Sequence, residues 1–110
     1  MKKLLALLTL LLPLTAAQAP VYSVVGGRLL CGMYLRAAGQ VQTWCWAGLD
    51  PQTSPLIHNA VTTLPAEGGA AMVTAVYRQD SIVWHLTFKA PGQVLYEFVS
   101  DGKTIRSGTL

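Results

Sequence analysis

Cys31 and Cys45 are the only cysteines in the chain, and the run between them, CGMYLRAAGQVQTWC, is built like a hairpin. Leu29 to Arg36 and Gln40 to Leu49 are rich in apolar and β-forming residues and are separated by Ala37, Ala38 and Gly39. A three-residue hairpin loop ends on a residue with positive φ, a conformation glycine reaches without steric cost, and Gly39 stands third. That turn pairs Arg36 with Gln40 and, continued outward, sets Cys31 opposite Cys45. Facing residues in a pair without backbone hydrogen bonds have Cα atoms about 4.5 Å apart, short but sufficient for a disulfide. Turn chemistry and cysteine spacing therefore specify the same register.

The register also sorts side chains, because successive strand residues point to opposite faces. Leu29, Cys31, Met33, Leu35, Val41, Thr43, Cys45, Ala47 and Leu49 make a core face. Arg28, Leu30, Gly32, Tyr34, Arg36, Gln40, Gln42, Trp44 and Trp46 make the other, with Trp44 lying across Gly32. Two dispositions of this second face fit the sequence. It is an open binding surface, or it is covered by the Val21 strand or by a loop, which would make its tryptophans ordinary core.

Met1 to Ala19 reads as a secretory signal peptide, helical while it lasts: Lys2 and Lys3, the apolar run Leu4 to Leu12, then small residues. The apolar run is too short to span a bilayer. Cleavage after Ala19 leaves Pro20 first, and cleavage after Ala17 leaves Gln18 first. No cysteine follows the run closely enough to carry a lipid, so the expectation is a single domain, residues 20–110, secreted or periplasmic, with no stable membrane insertion. An even pair of cysteines on an exported chain is first of all a disulfide. Of 8 Lys and Arg against 5 Asp and Glu, two lysines leave with the signal, so the remaining domain is nearly neutral. Without a basic cluster it exerts little pull on nucleic acid or anionic lipid.

Along the rest of the chain, Val21 to Val25 is a short strand ended by the two-residue turn signal Gly26-Gly27. Asp50 to Pro55 is a loop by composition, Leu56 to Leu64 a strand, and Pro65 to Gly69 a second break. Ala70 to Phe88 folds as a hairpin turning near Gln79-Asp80. Pairing Arg78 with Ser81 sets Ala71, Val73, Ala75 and Tyr77 against Ile82, Trp84, Leu86 and Phe88. Gln93 to Thr109 is a third hairpin turning at Asp101-Gly102, a pair suited to a type I′ turn, with Phe98 opposite Ile105 and Glu97 opposite Arg106. No segment after the signal has helical periodicity. The prediction is an all-β antiparallel meander of about eight short strands, forming a small barrel or a two-sheet sandwich whose chain crosses between sheets at residues 50–55 or 65–69.

Reactive groups are sparse. Asp80 and Asp101 fall in turns, Asp50 precedes a proline, Glu97 has a cross-strand partner and Glu67 lies in a Gly-rich loop, so no carboxylate pair for acid/base work stands out. His58 and His85 with Met33 and Met72 are the ingredients of a soft copper site, but no short ligand spacing joins them, and the cysteines fit neither a redox nor a zinc pattern. Neither a nucleophile elbow nor a phosphate-binding glycine loop occurs. The sequence is read as a non-enzyme without cofactor or metal. Its one concentration of recognition chemistry is the face with Tyr34, Arg36, Gln40, Gln42, Trp44 and Trp46, where rings flanked by amides and a guanidinium suit a glycan or protein partner. A structural or assembly subunit of the cell envelope, pairing through open strand edges such as those of the Val21 or Ile105 strand, is the alternative.

Overall fold

In the computed structural model, which describes residues 19–37, 39–65 and 68–110, alternating apolar and polar runs form eight strands. They are β1 Val21–Val25, β2 Leu29–Ala37, β3 Gln40–Trp46, β4 Leu56–Thr63, β5 Ala70–Tyr77, β6 Asp80–Ala90, β7 Gln93–Ser100 and β8 Lys103–Thr109. The signal-peptide reading of the N-terminus lies, but for Ala19, outside the described residues. Every strand pairs antiparallel with its sequence neighbour within one of two four-stranded sheets, β1-β2-β3-β4 and β5-β6-β7-β8. The inner faces of the two sheets form one core, so of the two expected architectures the chain adopts the two-sheet one.

The chain crosses between sheets once, after β4. The stretch after β3 instead folds back within its own sheet, because the Ala47 N–H donates to the Pro55 carbonyl at 2.9 Å. Asp50 organises that loop by accepting from the Gln52 N–H at 3.0 Å on its side chain and from the Ser54 N–H at 2.9 Å on its carbonyl.

Cys31 lies opposite Cys45, bonded to it, with Cα atoms 4.1 Å apart, and the expected register holds from Leu30/Trp46 to Leu35/Val41. Nearer the turn it shifts: Ala37, not Arg36, pairs with Gln40, and Arg36 is the extra residue of a bulge. Gly39 has φ 75°, and a Cβ there would sit 2.7 Å from the Phe88 ring, so this turn seats directly on the second sheet. The expected core face is buried from Leu29 to Cys45, but Ala47 is half-buried and Leu49, in the β3–β4 loop, is 55% exposed.

Three other hairpins depart from expectation, two at the turn and one in strand register. After β1, the Arg28 N–H donates to the Val25 carbonyl at 3.1 Å while the ladder resumes at Leu29, so Arg28 is a third turn residue. There it reaches Asp80 across the sandwich at 3.1 Å, a charged contact between the sheets in which Asp80 is buried and Arg28 largely open. In the β5–β6 hairpin, Tyr77 pairs with Asp80, placing the turn at Arg78-Gln79, where Arg78 takes φ 57°. The closing pair lies one residue earlier on the first strand than the expected Arg78/Ser81 closure, and one earlier on the second, so each residue's partner shifts by two. A shift of two preserves side-chain parity, so Ala75, Ile82, Trp84 and Leu86 are buried as expected.

The β7–β8 hairpin turns at Asp101-Gly102, with φ 51° and 80°, but its register breaks between Phe98 and Val99. Ile105 becomes a bulge residue and every later partner moves by one, so Phe98 faces Arg106 and Glu97 faces Ser107. The expected Glu97/Arg106 pair does not form. Arg106 instead turns toward the other sheet, its Nε donating to Tyr96 Oη at 3.3 Å and its Nη1 to the Tyr22 carbonyl at 2.8 Å.

Candidate functional site

The outer face of the first sheet carries the aromatic residues. β1 pairs with the side of β2 and does not lie over that face, so the open disposition is the one adopted among the described residues. Gly32 makes room for it: a Cβ at this position would fall 2.7 Å from Trp44 and 3.0 Å from Tyr22. The rings stand edge to face, Tyr22 to Trp44 at 5.8 Å and Trp44 to Trp46 at 6.3 Å between centroids. Such T-shaped contacts fix ring orientation through their quadrupoles, so among the described residues the indoles are held by one another.

Between them lies an open groove of about 400 Å³ lined by Pro20, Tyr34, Gln42, Trp44, Trp46, Leu56 and Asn59. Four of the sequence-derived binding residues, Tyr34, Gln42, Trp44 and Trp46, converge here. Arg36 and Gln40 do not: the bulge near the turn leaves Arg36 exposed, and both lie outside the lining. Pro20, Leu56 and Asn59 were missed. Asn59 belongs because β4 pairs it directly with Trp44, and its Oδ1 accepts from Gln42 Nε2 at 2.9 Å. The amides thereby orient each other, leaving the Asn59 amide nitrogen and the Gln42 carbonyl for a ligand. No lining residue is charged. The groove offers apolar ring surface and a pair of amides, which suits orientation of a neutral ligand.

Replacing Gly32 with alanine should push Trp44 off its seat. The expected outcome is a loss of about 1–2 kcal/mol in urea unfolding together with a changed near-UV circular dichroism signal, since the Tyr22–Trp44–Trp46 contacts share that support.

The histidines and methionines considered as copper ligands are dispersed. Met33 is in the core, Met72 and His85 face each other on the outer side of the second sheet, and His58 lies inside the sandwich. Among the described residues no group of three or more His, Cys, Asp or Glu gathers. The His58 ring stacks on Trp84 with centroids 5.1 Å apart, and its Nε2 is 3.0 Å from Thr43 Oγ1. Burial lowers its pKa from the ordinary 6.5. As pH falls, the unfolded chain therefore takes up this proton before the folded chain does. The His58 contribution is complete above the unfolded value and is lost as pH drops through it toward the lower folded value. Urea midpoints should accordingly decline between about pH 7 and pH 5, and His58→Gln should flatten that part of the curve.

The fold and groove define a disulfide-stapled antiparallel β-domain of two sheets with an uncharged aromatic recess on one outer face. No protein family, curated protein or solved structure matches the chain.

Proposed function

We propose that this protein is an exported, non-enzymatic binding module that recognises a protein or glycan through the groove on its first sheet, working in the periplasm or outside the cell. The observation carrying this reading is the convergence of Trp44, Trp46 and Tyr34 with the Gln42–Asn59 amide pair on a face that no described segment covers. Indole faces stack on the C–H surfaces of sugar rings or anchor apolar side chains, and amides hydrogen-bond hydroxyls or peptide groups. The absence of charge in the lining favours a neutral ligand. The signal-like N-terminus and the Cys31–Cys45 bond are both compatible with an oxidising, exported location.

The test is a panel of neutral oligosaccharides and uncharged peptides titrated against the purified protein, read by tryptophan fluorescence and calorimetry. At least one class should bind saturably, and Trp46→Ala and Asn59→Ala should each weaken it roughly tenfold or more. Binding unaffected by both substitutions, or no binding across the panel, would overturn the reading.

A further inference from the structure

Two sheets have four edge strands, and three of these are obstructed. β1 has only five residues, and its Tyr22 carbonyl is occupied by Arg106. β8 carries Lys103 and Arg106 and is broken by the bulge at Ile105. β4 has a register break near Ile57. Short length, positive charge and bulges are the devices that keep sheet edges from pairing with other chains.

β5 has none of them. Its eight residues, AAMVTAVY, include no charge, no proline and no glycine, and they pair with β6 without a register shift. The two-residue turn closing on Tyr77/Asp80 and the bond from the Phe88 N–H to the Gly69 carbonyl, 2.9 Å, direct the odd-numbered backbone groups toward β6. The N–H and C=O groups of Ala70, Met72, Thr74 and Val76 therefore point out of the sheet's edge. Their side chains are exposed as well, Met72 at 66% and Val76 at 68%.

We infer that β5 is a pairing edge whose occupant is the β5 strand of a second copy of this chain, the two running antiparallel about a two-fold axis at Val73. In that register Ala70 faces Val76 of the other copy and Met72 faces Thr74, every outward backbone group meets a partner, and no like charges oppose. The neighbouring edge, β4, contains no Asp, Glu, Lys or Arg either, so neither strand carries the charges that oppose self-association. The joined sheets form one eight-stranded sheet that shelters Met72 and Val76. This pairing is independent of the aromatic groove, and it assigns self-association to β5 in place of the Val21 and Ile105 strands that the sequence suggested.

Sedimentation velocity on the purified oxidised protein, up to about 100 μM, tests it. A species of twice the monomer mass is expected. Thr74→Pro removes an outward N–H without touching the β6 ladder, and the double variant Met72→Lys/Val76→Lys sets like charges across the joint while altering only exposed side chains. Each should weaken the dimer roughly tenfold or more, whereas Ile105→Lys on β8 should leave it intact. If Thr74→Pro fails to fold, the lysine variant decides. A wild-type protein that stays monomeric, forms open-ended aggregates, or keeps its dimer in the lysine variant would overturn the proposal.

Discussion

Trp84→Ala is expected to cost about 4 kcal/mol and to lower the thermal midpoint by roughly 20 °C. Trp84 is fully buried at the middle of the interface between the sheets, where it stacks on His58 from the first sheet and meets Phe98 edge-on at 5.3 Å from its own. Truncation removes the largest fully buried side chain and leaves a cavity that two stiff sheets close poorly. Phenylalanine should behave differently. The indole N–H of Trp84 has no hydrogen-bond partner among the described residues, so a ring lacking that donor relieves an unmet desolvation cost while keeping most of the packing. Trp84→Phe should therefore lose no more than about 1–2 kcal/mol. Urea unfolding of the two variants beside the wild type checks both expectations, and equal losses would show that ring packing is not what Trp84 contributes.

Breaking the Cys31–Cys45 bond should be the next largest effect. On the chain-entropy account a disulfide closing a loop of about 15 residues contributes near 3 kcal/mol. Here the hairpin already keeps the ends close, so Cys31→Ala/Cys45→Ala is expected to cost about 2 kcal/mol. Both sulfurs belong to fully buried residues, which gives a second expectation. Reductant alone should leave the bond intact in the native protein, and thiol titration should detect free cysteines only once denaturant opens the first sheet. The alanine variant should keep its fold at neutral pH, because Leu29, Met33, Leu35 and Val41 still specify which face is buried.

How far the fold could be read from the sequence depended on how many independent constraints met at each place. In the β2–β3 hairpin, glycine at the turn and cysteines opposite each other specified one register, and the strands adopt it from Leu30/Trp46 to Leu35/Val41. The β5–β6 hairpin had only an alternation of small and large side chains, which fixes faces but not register. Each residue's partner lay two residues from its expected place, and the core was still identified. The β7–β8 hairpin had a clear turn but a hidden bulge, and one extra residue at Ile105 moved Arg106 from the expected pair with Glu97 to the inner side. Bulges are tertiary adjustments of twist and leave little trace in residue type.

The groove was half legible for the same reason. Tyr34, Gln42, Trp44 and Trp46 come from the stapled hairpin, whose faces were determined. Leu56 and Asn59 come from β4, whose alternation is the weakest, and they reach the groove only through its pairing with β3. Reading β4 as the antiparallel neighbour of β3 would have brought a polar residue beside Trp44. The β3–β4 loop hid that neighbourhood by resembling a crossover, whereas the β3–β4 ladder and the Ala47–Pro55 hydrogen bond make it a return within one sheet.

Binding at the groove requires the indoles of Trp44 and Trp46 to be open to a ligand while Trp84 is buried in the core. Acrylamide quenching of the Trp84→Phe protein measures this directly, since its remaining emission comes from the groove. Red-shifted emission that acrylamide quenches readily, and much more strongly than it quenches a Trp44→Phe/Trp46→Phe protein retaining only Trp84, is the predicted result. Blue emission resistant to quenching in both proteins would mean that the face is covered, and would contradict the proposed site.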